Sequence, residues 1–353
     1  MFGTCLVRLS IYVIRMNFSL RHKKIVFFLY MAFLSEKVEL SYKKRLHLLK
    51  ETDAFRVING AADGFSGLTL DKFGDLYQIQ FFDGEWISKK NDVVEGVKEV
   101  FNPKFLVSKF RLERSGRSLE NPEMIIEVGN REDGVGIVKE GSAKFYVDLL
   151  DTINPGLFLD MRGVRLEIGR RAAGYSRRGS CRVLNLFSYT CAFSVHARLG
   201  GADLSTNADI SGKILEKGRA NYALNGLECR PGEFFRGNAL EYVAWANKKG
   251  LRFDIIVLDP PSFARFKGVN FNVREHLMGL VADCARLLNP GAVFMVSSNY
   301  SEFNLNDFSQ SVLDEVARVR PEVKKIWSRG QGEDFVGSGS TKDSCLCATL
   351  VQV

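Results

Sequence analysis

No cysteine of this 353-residue chain stands at disulfide or metal-ligand spacing. The seven (Cys5, Cys181, Cys191, Cys229, Cys284, Cys345 and Cys347) are odd in number and scattered, with no C-x-x-C pair near a second pair or a histidine. That excludes a disulfide framework and a zinc module, and leaves reduced thiols in a cytoplasmic protein with no metal. No apolar run is long enough for a membrane span: Ile25–Leu34, behind Arg21, Lys23 and Lys24, is half the roughly 20 residues a bilayer needs, and no small-residue cleavage site follows it. No G-x-G-x-x-G occurs, so no loop is built to crowd a pyrophosphate, which counts against NAD or FAD. With 46% apolar and 25% charged residues the chain is neither disordered nor fibrous, and its length accommodates two domains with real cores.

What is present centres on Val183–Ser211. Val183–Phe187 reads as a buried strand, Ser188-Tyr189-Thr190 as a loop, and Phe193, Val195 and Leu199 mark a helix that Gly200-Gly201 stops. Leu204–Ala208 makes a second strand, and Asp209 ends it roughly 20 residues after the first loop, where nucleotide-binding folds place a carboxylate on ribose hydroxyls. A loop of hydroxyls and carbonyls suits S-adenosylmethionine, which has no phosphate and carries a sulfonium. Glu233–Arg236 reads as a third strand, followed by Asn238. Phe253–Leu258 is a fourth strand ending in Asp259-Pro260-Pro261-Ser262-Phe263.

The blocks GLFLDMRGVR, LNLFSYT, Asp209-Ile210-Ser211 and DPPSF, in that order over residues 50–353, resemble the bacterial S-adenosylmethionine-dependent methyltransferases of large-subunit ribosomal RNA. The resemblance implies an α/β fold: a Rossmann-like, doubly wound class I methyltransferase sheet closed by a C-terminal antiparallel hairpin, preceded by a smaller α+β domain. It implies S-adenosylmethionine as cofactor, held by Phe158, Arg162, Asn185, Phe187, Ser188, Tyr189, Thr190, Asp209, Ile210, Asn238, Ala239 and Asp259. Two positions depart from the family: Asn238 replaces an acid thought to meet the adenine amino group, and Cys191 replaces a glycine free to take a positive φ.

Methyl transfer from a sulfonium asks mainly for positioning. The prolines fix the backbone, Asp259 or the Pro260 carbonyl can accept hydrogen bonds from a base edge, and Phe263 can stack on its face. Relatives that methylate cytosine C5 carry a nucleophilic cysteine after the fifth strand; here that motif is Ser297-Ser298-Asn299-Tyr300-Ser301. The Ser-Asn pair and Glu333-Asp334-Phe335 resemble relatives that methylate a guanine ring nitrogen, with Asn299 orienting the base and no covalent enzyme–RNA intermediate. Cytosine C5 is the alternative target. A cofactor-binding module without catalysis, or a methyltransferase of the same fold acting on a small molecule or protein, stays open.

Residues 1–49 are expected to be a basic extension, with ten basic against two acidic side chains in the first fifty residues, and the natural chain is expected to begin near Met31. Residues 50–150 read as an α+β domain of antiparallel hairpins with one helix at Lys89–Val100, and 151–353 as the methyltransferase domain. The middle segment, 13 basic to 18 acidic over residues 51–150, is unlike a main phosphate-binding face, although it is a possible RNA docking module. Family members often carry an RNA-binding module ahead of this region, for which there is no room here. Leu157–Ala173 is expected to be helical, and seven arginines from Arg162 to Arg182 could clamp phosphates or merely solvate a helix face. Asn272–Leu288 and Asn304–Val319 read as helices and Ala292–Ser297, after an Asn289-Pro290-Gly291 turn, as a strand. His196 is read as structural. The expected partner is RNA, without a membrane, and monomer and homodimer both remain open.

Overall fold

The computed structural model describes residues 20–111, 123–152, 154–266, 269–335, 337 and 346–353. The chain forms two compact units, 1–138 with 147–155, and 139–146 with 156–353. The first holds a five-stranded sheet ordered β1 (Ala54–Asn59), β2 (Leu68–Phe73), β3 (Leu76–Phe81), β4 (Phe105–Phe110), β5 (Glu123–Val128). Its pairs are antiparallel except β3 and β4, which run parallel because α2 (Gly84–Ser88) and α3 (Lys90–Phe101) carry the chain across between them. The helix expected at Lys89–Val100 is present as α3, while the parallel pairing it permits departs from the expected antiparallel hairpins.

Helix α1 (Leu20–Lys43) and the turn after it overturn the reading of residues 31–49 as an extension. Leu34 and Val38, one helical turn apart, and Leu48 lie in the core with Phe55, Leu70 and Val97. Arg45 is buried against Asp63, its Nη1 and Nη2 donating at 3.0 and 2.7 Å. The basic count hid this, because one of the cations, Arg45, is itself a core residue.

A hairpin follows, β6 (Val135–Glu140) with β7 (Ala143–Asp148), whose tip, residues 139–146, belongs to the second unit. A boundary at 150 leaves that tip on the side of the first unit. The second unit is a seven-stranded sheet. Its strands are β8 (Arg182–Leu186), β9 (Leu204–Asp209), β10 (Phe234–Arg236), β11 (Phe253–Leu258), β14 (Leu288–Ser298), β15 (Lys324–Arg329) and β16 (Cys347–Gln352), in the order β10-β9-β8-β11-β14-β16-β15. The first five run parallel, and β16 lies antiparallel between β14 and β15. The order reverses between β8 and β11, the point at which doubly wound sheets open a crevice at their strand ends.

Both faces are covered, which is why the strands read as unbroken apolar runs. Leu184, Leu186, Ile256, Leu258 and Phe294 pack under α7 (Ala239–Lys248), α8 (Val273–Ala285) and α9 (Leu305–Ala317). Val183, Ile255, Val257 and Val293 pack under α4 (Arg162–Ser176) and α5 (Ala192–Leu199). Helix α6 (Gly212–Leu224) follows β9.

Three local expectations change. Asn289-Pro290-Gly291 is a bulge inside β14, the register against β11 jumping from Phe253↔Leu288 to Ile255↔Val293, because a proline cannot donate to the ladder. The helix expected from Leu157 opens as a 3-10 turn at Leu159–Met161 before α4 begins. The segment after DPPS, not expected to be strand, forms the hairpin β12 (Phe263–Phe266) with β13 (Val269–Asn272).

Candidate functional site

Between β8 and α5 the backbone is strained: Phe187, Tyr189 and Cys191 have φ of 57°, 46° and 62°, a region that costs a residue with a β-carbon roughly 1 kcal/mol or more. Hydrogen bonds over-determine it. The Ser188 amide donates to the Ala208 carbonyl at 3.1 Å, the Tyr189 amide to Asp209 Oδ2 at 3.0 Å, and Asn221 Nδ2 to the Thr190 carbonyl at 3.0 Å. Cys191 thus keeps the conformation a glycine would adopt freely. Its thiol is accommodated by Gly218 of α6, where a β-carbon would collide with Sγ.

Asp209 closes this loop from the next strand. Beyond Tyr189, its Oδ1 accepts from the Ser211 amide at 2.9 Å. Burial raises its pKa, opposed by the backbone hydrogen bonds from Ser211, Tyr189 and Ile210. A carboxylate offers about four acceptor sites, so capacity remains for a diol. Ile210 stands half-buried beside it, and across the loop Phe158 and Tyr189 pack ring to ring at 5.1 Å.

Asn238 differs from expectation. Its Oδ1 accepts from the Leu240 amide at 2.9 Å, capping α7, and because an amide N–H fixes which end is oxygen, Nδ2 is the end left to a ligand. It presents Nδ2 as a donor, and Oδ1 keeps a second lone pair.

Four residues expected at the cofactor have buried side chains. Asn185 is buried, its Nδ2 donating to Ser194 Oγ at 3.0 Å and Asn207 Oδ1 at 3.2 Å in a polar layer between β8, β9 and α5. Thr190 donates its hydroxyl to the Gly156 carbonyl at 2.7 Å. Ala239 is buried in the first turn of α7. Arg162, 3% exposed, clamps the buried Asp334, Nη2 donating at 2.7 Å and Nη1 at 3.4 Å. Their side chains are drawn inward by buried partners that the local sequence does not reveal.

At the end of β11 the structure brings together the residues expected at the base. Ser297 Oγ donates to Asp259 Oδ1 at 2.6 Å, and Ser262 Oγ to Asn299 Oδ1 at 3.1 Å, joining two motifs 37 residues apart. Burial pushes the Asp259 carboxyl up to about 6, with Ser297 and Arg165 lowering it and the Asp160 charge adding to the rise. Pro260 is buried and holds the turn, while Phe263 is 56% exposed. Behind it the Phe187 and Phe271 rings pack at 5.3 Å. Ser262, Ser297 and Phe271 were not foreseen; the alternating V-N-F-N of β13 was the available signal for the last.

The thiols do not serve this edge. Burial pushes Cys181 up to about 12 and raises Cys191 and Cys284 still further. Cys229 is exposed, ahead of β10 at the opposite edge of the sheet. Cys347 lies nearer than its place in the last strand implied, directly across from Ser298, but it is buried with Sγ turned to the Phe303 carbonyl at 3.7 Å. Cys5 and Cys345 lie outside the described residues. Among the described residues no cluster of three or more His, Cys, Asp or Glu could hold a metal, and no helix is long and apolar enough to cross a membrane.

Residues 121–336 match a family model described as S-adenosylmethionine-dependent methyltransferase. YwbD of Bacillus subtilis, provisionally named a ribosomal RNA large subunit methyltransferase, is 32% identical over 280 residues, 78% of this chain and 69% of its own. Ribosomal RNA large subunit methyltransferase K of Neisseria meningitidis is 32% identical over 270 residues, 75% and 72% of the two chains. A solved Streptococcus mutans structure, described as an S-adenosylmethionine-dependent methyltransferase, superimposes with a TM-score of 0.78 over 92% of this chain and 81% of that one, at 24% identity, a likeness of fold.

Proposed function

The chain belongs to the family of S-adenosylmethionine-dependent methyltransferases, and from that premise we propose that it methylates a base of large-subunit ribosomal RNA. A guanine ring nitrogen is the acceptor, and no covalent bond joins enzyme and RNA. The substrate class rests on the two relatives named for it, which match about three-quarters of the chain.

S-adenosylmethionine supplies a methyl group already activated on a sulfonium. The residues suited to hold it are Asp209 for the ribose hydroxyls, Ile210 and the Phe158–Tyr189 pair for apolar contact, and Asn238 Nδ2 for an acceptor nitrogen of the adenine ring. Asn185, Thr190 and Arg162 keep the supporting loops in place.

The observation that carries the base reading is the Ser262–Asn299 hydrogen bond beside the exposed Phe263 ring. Phe263 stacks the extruded base, Asn299 presents its remaining amide group to the base edge, and Asp259, ionised above about pH 6, faces the positive charge that develops on a methylated ring nitrogen. A nitrogen lone pair attacks without an enzyme nucleophile, in keeping with buried thiols held above the physiological range. Mass spectrometry of large-subunit ribosomal nucleosides from a deletion strain tests this: one methylguanosine is expected to disappear. Loss of 5-methylcytidine with every methylguanosine intact would put the cytosine alternative in its place.

A further inference from the structure

The seven arginines between Arg162 and Arg182 separate into two groups. Three are used internally: Arg162 on Asp334, Arg165 on Glu140 through Nε and Nη2, both at 2.6 Å, and Arg182 against the Phe253 ring. Arg170 and Arg171 remain on the last turns of α4, and Arg177 and Arg178 in the turn that follows it. There a cleft of about 310 Å³ opens between the helix and the sheet, walled by Glu167, Arg170, Arg171, Tyr175, Arg178 and Gln352.

Three features give the cleft the character of an oxyanion site. Glu167 accepts from Nε of both Arg170 (3.1 Å) and Arg171 (2.8 Å), which braces two guanidinium groups through Nε; three arginines to one glutamate leave the wall net positive. The Tyr175 hydroxyl and Gln352 Nε2 both donate to the Gly291 carbonyl, fixing the opposite wall, and Lys324 pairs across from Gln352 on β15 and adds a further cation on that side. Gly174 also lines the cleft, where an added β-carbon would meet nothing within 4 Å. Glycine inside a helix is less stable than alanine, and no packing neighbour requires it here; its effect is to leave the cleft open.

We infer that this cleft docks a backbone phosphate of the RNA substrate at a distance from the methylated base. The inference rests on the ribosomal RNA reading above. Arg162 and Ser176 stand at the two ends of α4, fourteen residues and about 21 Å apart at 1.5 Å per residue, with Arg178 just past the second end, and Gly291 marks the sheet edge opposite the strand ends that carry Asp209 and Asp259. An RNA reaching both places spans several nucleotides, so the enzyme recognises a folded segment as well as a single base. Phosphate contacts of this kind position a substrate without reading its sequence.

The test uses the full chain and protein-free large-subunit ribosomal RNA from cells lacking this protein. Arg170→Gln/Arg178→Gln is expected to raise KM for that RNA about ten-fold, and to reduce the slope of log affinity against log salt by about 1 to 2. Turnover number and S-adenosylmethionine affinity stay unchanged, and Arg170→Lys/Arg178→Lys recovers most of the affinity because the charge is kept. Unchanged KM and salt slope in the Gln pair would overturn the cleft while leaving the functional reading intact. A wild-type chain that transfers no methyl to this RNA would remove both.

Discussion

At the scale of single residues, Asp259 links geometry to a measurable pH response. Burial raises its pKa to about 6, so kcat/KM is expected to climb as pH rises through 6 and to level off above, whereas Asp259→Asn gives a low, flat profile. A wild-type rate constant across pH 5 to 8 would remove Asp259 from the reaction. The same shift predicts stability with the opposite trend. A carboxyl whose folded pKa exceeds its unfolded value favours folding below about pH 4 and loses that contribution as pH rises through 6. Asp259→Asn should therefore be more stable than wild type at pH 8 by about 1–3 kcal/mol, checked by urea unfolding. Asp209→Ala, which removes the remaining acceptors for a diol, should weaken S-adenosylmethionine binding by about 1–3 kcal/mol in calorimetry. Gly218→Ala should cost about 1–3 kcal/mol by driving a β-carbon into Cys191 Sγ, and Cys191→Gly in the same chain should recover most of it. Equal losses with and without Cys191 would mean the two positions are not coupled.

At the scale of elements, local pattern and remote partner contributed differently. β8, the loop after it, α5 and β9 were legible because a short apolar run, a run of hydroxyl residues and a Gly-Gly stop are all local signals, and the same signals placed Asp209 and Asp259 at strand ends. What lay beyond reach was the inward turn of side chains toward distant partners. Asn185 needed Ser194 and Asn207, and Arg162 needed Asp334, 172 residues later. Nor could pattern show that the last strand would insert between β14 and β15, bringing Cys347 beside Ser298. The Arg162–Asp334 pair ties α4 to the segment after β15, and removing one charge takes an opposite charge away from the other in a buried site. Arg162→Ala or Asp334→Ala alone should lose about 3–5 kcal/mol, and the double replacement less than their sum, measured by denaturant midpoints. Strict additivity would mean that the clamp carries no coupling.

At the scale of the whole molecule, the distribution of thiols shapes the expected chemistry. RNA carrying a fluorinated cytosine should not become trapped on the protein. An adduct that disappears in Cys347→Ser would identify the thiol across from Ser298 as a nucleophile and restore cytosine as the target. The absence of a trap together with methyl transfer is the outcome the buried, core-facing Sγ leads us to expect.

The tip of the β6–β7 hairpin sets where this chain can be severed. Glu140 on that tip is fully buried. Burial alone would raise its pKa, yet the charge and hydrogen bonds of Arg165, with His196 Nε2 at 2.9 Å, outweigh burial and hold it at about 2. A chain begun at residue 151 would strip Arg165 and His196 of their shared anion and take away the strand edge that Asn221 and Asn225 grip through the amides of Tyr146 and Lys144. The family match begins at residue 121, ahead of both hairpin strands, and so includes the hairpin. The second unit therefore includes residues 139–146, ahead of the boundary that sequence order suggested, and any excision, fusion or exchange of that unit is expected to need the hairpin with it.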